Sequence, residues 1–239
     1  MDYGQFCPIA KATEILGEKW TLLILRELLM GGTRFGELQR GLPLISPAVL
    51  SKRLKSLEES GLIYRRRIQS QRGYEYLVTE SARELQPILF AIGNWGMRWA
   101  RTQLSDSDYD AGMLMLYLQR SIRPEKLPGD ATTIRFHFED LDEAANWWLL
   151  VRGGEVEVCN VDPCVDVDVY LTTTVRSMTE VWMQDRSYLS AIRSDDLKVA
   201  GPQVLTRNIS SWLENCPFSA DAADEAGVLP ADELRLTSS

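Results

Sequence analysis

The chain has 239 residues, 45% of them hydrophobic and 25% charged, which is typical of folded globular proteins rather than disordered or fibrous ones. Its length predicts two domains, and no apolar run is long enough to cross a membrane. The first residues lack a secretory signal pattern, so we expect a cytoplasmic protein with no membrane partner. Four scattered cysteines and one histidine are too few for a zinc motif, so we expect reduced thiols, no metal and no cofactor.

The formal net charge of −8 is unevenly distributed along the chain. Residues 1–104 contain 15 Lys and Arg against 10 Asp and Glu, whereas residues 105–239 contain 11 against 24. Only the first of these segments therefore has the charge expected of a protein surface that meets DNA phosphates.

The first helices are predicted between Lys11 and Met30, where apolar residues recur at helical spacing. Gly17 interrupts this pattern, so we predict two helices there. A further short helix is predicted over Phe35–Arg40, which Gly41 ends.

The clearest helix start in the chain is Ser46 followed by Pro47. Serine is a favoured N-cap, and proline at the first helical position loses no hydrogen bond. Gly61 is predicted to end this helix. Its apolar residues form one buried stripe: Leu50, Leu54 and Leu57.

Two stretches rich in β-branched and aromatic residues, LIYRRRI and YEYLV, follow Gly61 and are separated by the polar turn QSQRG. This pattern predicts a β-hairpin with a basic tip. A further helix is predicted from Thr79, with Pro87 marking a kink or a restart. Its apolar residues recur three and four positions apart, as in a coiled-coil seam: Leu85, Ile88, Ile92, Trp95 and Trp99.

The polar, acidic segment 102–112 is predicted to be a linker, with a domain boundary near Leu104. We therefore predict a first domain over 1–104, a second domain over 113–218 and an acidic, loosely ordered tail over 219–239.

The second domain is predicted to be α+β. A helix near 113–120 precedes four β-like runs: TTIRFHF, WWLLVR, EVEVCN and VDVDVYLTT. Helical patterns follow near 175–183, 188–192 and 202–213, with the short strand or turn LKVAG between the last two.

A short helix, a turn, a second helix and then a basic hairpin is the arrangement of a winged helix-turn-helix. The side chains opposite the leucine stripe are expected to reach a major groove, and those of the hairpin a minor groove or the DNA backbone. The alternative is that these basic residues only solvate the surface. The candidate DNA-binding residues are Arg34, Ser46, Ser51, Lys52, Arg53, Lys55, Arg66, Arg67, Gln69 and Arg72.

The residues that form this arrangement also resemble the HxlR-type winged-helix regulators over about residues 6–100. The resemblance rests on Cys7-Pro8, on Gly17 with Lys19-Trp20, on the stretch ISPAVLSKRLKSLEESGLI and on a variant Tyr-Leu-Val-Thr run ending at Thr79. Glu18 stands where the family often has glycine or aspartate. The resemblance implies a homodimer joined through its terminal helices and a palindromic operator in double-stranded DNA. The alternative for the apolar seam is packing within its own domain.

Cys7 occupies the position that some relatives use as a redox or electrophile sensor, which the resemblance extends to this chain. A sensor thiol needs a lowered pKa and solvent access, and Lys11 is the nearby positive charge in the sequence. The alternative is a structural cysteine.

The stretch from Val161 to Leu213 is similar to sterol carrier protein-like domains in its order of strand, two helices, Leu-x-Val-x-Gly strand and last helix. Such domains enclose an apolar cavity, which implies an apolar small-molecule ligand. The alternative is that each candidate lining residue belongs to the ordinary core. The candidates are Trp147, Trp148, Tyr170, Met178, Trp182, Met183 and Leu189.

These patterns favour a non-enzymatic transcriptional regulator, with repression as the commoner outcome. The sequence has no nucleophile elbow, phosphate-binding glycine loop or metal cluster, and His137 is expected to be structural. The alternatives are a lipid-like ligand carrier or a protein-docking module tethered to DNA, or a redox-sensing regulator acting through Cys7.

Overall fold

The computed structural model describes residues 2–69 and 73–218. Two compact units divide the chain, Met1–Trp95 and Gly96–Ser239. The domain limits given above remain predictions, and the predicted tail lies outside the described residues. Within the described ranges, no helix has both the length and the apolar character needed to cross a bilayer.

The first unit consists of short helices and one hairpin. Its elements are α1 (Pro8–Leu16), α2 (Thr21–Leu29), α3 (Phe35–Arg40), α4 (Pro47–Glu59), β1 (Ile63–Arg67), β2 (Tyr74–Val78), α5 (Glu80–Arg83) and α6 (Gln86–Trp99), of which α6 runs past the end of the unit. The predicted break at Gly17 and the predicted short third helix are confirmed. Pro87 marks a restart rather than a kink, because it lies at the second position of α6.

The core of the first unit lies where α2, α3 and α4 meet. The predicted leucine stripe of α4 is confirmed, since Leu50, Leu54 and Leu57 are each at most 2% exposed. They pack with Ile24 and Leu38, which are fully buried. Each of these side chains contributes about 1.5–3 kcal/mol on burial, so this stripe determines which face of α4 remains in solvent.

The predicted hairpin is confirmed as an antiparallel pair, with Arg65 opposite Tyr76. Thr33 extends it, because its carbonyl oxygen accepts a hydrogen bond of 2.7 Å from the Tyr76 amide. Arg34 also forms a bridge with Glu75. The hairpin is thereby joined to the residues that begin α3.

The second unit is an α+β arrangement around a five-stranded sheet. Its elements are α7 (Ala111–Ser121), β3 (Ala131–Phe138), β4 (Asn146–Arg152), β5 (Glu155–Cys159), β6 (Val169–Thr173), α8 (Val175–Trp182), α9 (Tyr188–Arg193), β7 (Leu197–Ala200), α10 (Gln203–Thr206) and α11 (Ile209–Trp212). The strand order is β5-β4-β3-β6-β7. Among these neighbouring strands, only β3 and β6 are parallel. Parallel strands need a crossover connection, and the segment between β5 and β6 provides it.

One face of this sheet forms the core of the second unit with the helices. Ile134, Phe136 and Phe138 alternate along β3 and are fully buried in that core. Two sequence predictions require correction. The last predicted strand begins only at Val169, after an acidic crossover, and the predicted final helix is two short helices, α10 and α11.

Candidate nucleic-acid interface

The exposed face of α4 is defined by its first residue and its leucine stripe. The Ser46 hydroxyl accepts a hydrogen bond of 3.3 Å from the Val49 amide, as predicted for an N-cap. Ser51, Lys52 and Lys55 are exposed because they lie opposite the buried leucines. The start of α4 therefore offers free amide groups and two cations on the same solvent face.

Arg53 differs from the sequence expectation. Its guanidinium forms an ion pair with the Glu18 carboxylate, and its Nε donates a hydrogen bond of 3.1 Å to the Lys19 carbonyl oxygen. Only 16% of the Arg53 side chain is exposed. Arg53 therefore fastens α4 to the turn between α1 and α2, where Trp20 adopts a left-handed backbone with φ of 80°. The residue in the sequence that could have indicated this pairing is Glu18, an acidic side chain where the family often has glycine or aspartate.

The hairpin, called the wing from here on, presents basic side chains with different local partners. Arg66 donates a hydrogen bond of 2.7 Å from Nε to the Glu75 carboxylate, and this contact raises the pKa of the guanidinium. The Arg65 guanidinium lies over the Tyr74 ring at 4.4 Å. Arg67 is exposed at the end of β1.

The remaining interface candidates lie near these elements or outside the described chain. Gln69 is exposed just beyond β1, and Arg34 is exposed at the start of α3. Arg72 lies outside the described residues.

The predicted apolar seam divides into two parts. Leu85 packs against the core of the first unit, as the alternative reading of the seam expected. The other four residues are on the solvent side of α6, and a large fraction of each is exposed: Ile88 52%, Ile92 46%, Trp95 61% and Trp99 63%.

Cys7 is partly buried at the N-cap of α1 and makes no side-chain cap hydrogen bond. The Lys11 ammonium lies 2.8 Å from the Glu14 carboxylate and 3.6 Å from the Asp2 carboxylate. The one positive charge that the sequence placed near this thiol is therefore already paired with acidic side chains. The other cysteines are also free thiols.

The predicted ligand-binding residues do not gather in one place. Met178 is fully buried in the core of the second unit, and Leu189 is 56% exposed. Trp148 and Tyr170 lie on either side of the Arg135 guanidinium, 5.8 and 5.9 Å from it, on the sheet face opposite that core. Trp147 packs against the core instead.

Trp182 and Met183 do line a cavity in the second unit. Its volume is about 160 Å³. The other lining residues are Leu104, Asp108, Tyr109, Asp110, Met113, Leu114, Tyr117 and Thr179. Sequence reasoning missed all eight of them. Four lie in segment 102–112, whose composition is that of a linker, although Leu104 and Tyr109 are apolar side chains that a solvated linker does not require.

No group of three or more His, Cys, Asp or Glu side chains within residues 2–69 and 73–218 is arranged to hold a metal ion. His137 lies in β3, with Nδ1 3.0 Å from the Asn146 side-chain oxygen. The contact with Asn146, its partner on β4, agrees with a structural role for His137.

Comparison with known proteins places the similarity in the first part of the chain. Residues 15–104 match the family described as HxlR-like helix-turn-helix. The chain is 40% identical over 101 residues to the HTH-type transcriptional regulator YvaP of Bacillus subtilis. This match covers 41% of this chain and 94% of that protein. It is 39% identical over 97 residues to the HTH-type transcriptional regulator sll1512 of Synechocystis, covering 40% of this chain and 72% of that protein.

Among solved structures, the reduced form of the transcriptional regulator YodB from B. subtilis is 30% identical to this chain. The match covers 40% of this chain and 95% of that one, with a TM-score of 0.34.

Proposed function

This chain belongs to the HxlR-like helix-turn-helix family and is a DNA-binding transcriptional regulator, and on that premise we propose that it represses transcription as a homodimer on a pseudo-palindromic operator. The family is not enzymatic. The observation that carries the proposal is the exposed, basic face at the start of α4 next to a basic wing.

In this proposal α4 enters the major groove and the wing follows the DNA backbone. Lys52 and Lys55 are exposed on the face of α4 opposite its core stripe, where a base edge or a phosphate can approach. Arg66 and Arg67 of the wing supply further phosphate contacts. Arg53 acts as a positioning residue, since its guanidinium is held by Glu18.

The exposed part of α6 supports the proposed dimer. A helix whose isoleucine and tryptophan side chains remain in solvent is unfavourable for an isolated chain, and a second copy of the same helix covers such a surface symmetrically. Two copies of α4 related by a two-fold axis would then read two half-sites.

We also propose that the second unit has a sterol carrier-like fold and binds an apolar small molecule that controls DNA binding. The order β6, α8, α9, β7 and then α10 and α11 supports the fold, because it is the order on which the resemblance rests. The cavity beside Trp182 and Met183 supports the ligand.

The DNA interface is tested by charge-removing variants of the full-length protein. We expect Lys52→Ala, and separately the Arg66→Ala, Arg67→Ala double variant, to weaken operator binding about tenfold and to reduce the salt slope by roughly one for each lost phosphate contact. Fluorescence anisotropy with a promoter duplex at several salt concentrations measures both quantities.

Lys126→Ala is the matched control, because Lys126 is an exposed lysine of the second unit. It should bind the duplex like the unaltered protein. If Lys52→Ala and the Arg66→Ala, Arg67→Ala variant both bind the duplex as tightly as the Lys126→Ala control, α4 and the wing are not the DNA-contacting surface.

A further inference from the structure

The cavity of the second unit has a size and a lining that restrict its ligand. Its volume is about 160 Å³, and most of its wall is apolar. The Tyr117 and Trp182 rings are stacked with centroids 4.8 Å apart on one side. A dry apolar cavity of about 150 Å³ in a protein core holds one benzene molecule, so this cavity has room for a single aromatic ring.

The aromatic wall of the cavity is held in place by the surrounding core. Trp182 is 7% exposed, and its indole nitrogen donates a hydrogen bond of 2.8 Å to the Ser121 hydroxyl. Met183 and Met113 complete the wall with thioether side chains, which make favourable contacts with aromatic rings. A planar apolar group therefore finds a formed surface rather than a collapsed one.

Two aspartates line the same cavity, and the carboxylate of each accepts hydrogen bonds from nearby groups. Asp110 is the N-cap of α7 and accepts a hydrogen bond of 2.7 Å from the Met113 amide. Asp108 accepts hydrogen bonds of 2.8 Å from the Ser105 amide and hydroxyl, and these contacts lower the pKa of Asp108. The lowered pKa keeps the Asp108 side chain negatively charged at neutral pH.

The lining residues in the described part of the chain include no lysine, arginine or histidine. Arg176 is not a lining residue, but its guanidinium lies 4.7 Å from the centroid of the Tyr109 ring, which lines the cavity. Arg176 also forms an ion pair with Asp106, which compensates its charge. The charged residues of the lining are Asp108 and Asp110, and their carboxylates favour a cation over an anion.

We propose that this cavity binds a small, protonated aromatic amine, with its ring against Tyr117 and Trp182 and its ammonium group toward Asp108 and Asp110. An anionic ligand is disfavoured by the two carboxylates, and a long lipid chain exceeds the volume. The inference deepens the proposed function by adding one charged group to the apolar ring of the ligand, and it rests on that function for the role of the ligand in regulation.

Isothermal titration of the full-length protein tests the proposal with three single-ring probes of similar size. Benzylammonium carries a positive charge, benzyl alcohol is neutral, and benzoate is negative. We expect benzylammonium to bind about fivefold more tightly than benzyl alcohol, as two partly exposed ionic contacts allow. Benzoate should bind most weakly.

Two variants separate the contribution of charge from that of shape. The Asp108→Asn, Asp110→Asn double variant removes both charges but keeps a good N-cap at α7, so benzylammonium should lose its advantage while benzyl alcohol binds as before. Leu104→Trp fills the cavity from a position that is 40% exposed, and it should abolish binding of both probes.

The Asp142→Asn, Asp166→Asn double variant is the charge-matched control, because both aspartates are exposed in the same unit and neither lines the cavity. It should retain the preference for benzylammonium. Equal affinity for the amine and the alcohol overturns the proposal, as does a preference that the Asp108→Asn, Asp110→Asn variant retains.

Operator binding measured on the same preparations keeps the two claims apart. A protein that binds DNA but shows no preference for the amine contradicts only this inference. A protein that prefers the amine but binds no promoter duplex supports this inference and contradicts the proposed function.

Discussion

Glu27 is a carboxylate at the centre of the first unit, with no exposed surface. A buried carboxylate is tolerated when it is paired, and the Arg26 Nε donates a hydrogen bond of 3.0 Å to Glu27. Arg26 also donates to the Gly41 carbonyl oxygen at 3.2 Å, which connects α2 to the end of α3. The Glu27 carboxylate then occupies the space in which a side chain at Gly41 would lie.

Gly41→Ala is expected to lower the free energy of unfolding of the first unit by about 1–3 kcal/mol, because the new methyl group overlaps a buried, paired carboxylate. Backbone strain is not the cause, since the φ of Gly41 is −72°. Urea-induced unfolding measures the change.

Gly36→Ala provides the comparison in α3, the helix that Gly41 ends, because a side chain at Gly36 meets no atom within 4 Å. Alanine is the better helix former, so this variant should gain up to about 1 kcal/mol. Equal stability of the two alanine variants would show that Glu27 moves aside without cost.

At the scale of one element, α4 carries arginine and lysine side chains with different roles. Arg53 is held by Glu18 and by the Lys19 carbonyl oxygen, whereas 76% of the Lys55 side chain is exposed. Lys55 lies 3.6 Å from Glu59 one turn later, a surface pair of small energetic value. Both residues carry the same charge, so the difference between them lies in how much of each side chain is buried.

Arg53→Ala is expected to lower the free energy of unfolding by about 2 kcal/mol, since it leaves Glu18 and a backbone carbonyl without their charged donor. Lys55→Ala is expected to change it by less than about 0.5 kcal/mol but to weaken operator binding. Urea-induced unfolding and fluorescence anisotropy, applied to both variants, measure these effects. Arg53 would instead be a direct DNA contact if Arg53→Ala kept full stability and lost operator affinity.

At the scale of the whole molecule, the positive charge and the DNA-binding elements occupy the first part of the chain, while the excess of acidic residues lies in the second part. This separation reduces competition between the two units for DNA, because an acidic surface is repelled by phosphates. Helix α6 spans the division between the units and has apolar side chains in solvent.

Trp95→Glu is expected to raise the dissociation constant of the proposed dimer at least tenfold, because a tryptophan at the centre of an interface contributes roughly 2 kcal/mol or more. Val204→Glu adds the same charge at a residue of α10 that is 62% exposed, and it should leave the dimer intact. Sedimentation velocity at several concentrations measures both. A monomeric unaltered protein, or a Trp95→Glu variant that dimerises normally, would contradict the role of α6.

The sequence alone was sufficient for those features that depend on neighbouring residues. The Ser46-Pro47 start of α4, its leucine stripe and the pairing of the wing follow from capping, helical periodicity and β propensity, which act over a few positions. Family membership follows from the same continuous stretch. The structure confirmed each of these elements.

Only the tertiary structure decided which side chains meet across the fold. Arg53 forms an ion pair with Glu18, 35 positions away, so a predicted DNA-binding residue is mostly buried against the turn between α1 and α2. Leu85 joins a core while Trp95 remains in solvent, although both continue one periodic pattern. Tyr109 of the expected linker and Trp182 of α8 line one cavity, whereas most of the predicted ligand residues do not. Periodicity determines the face on which a residue lies, but packing between distant elements determines what covers that face.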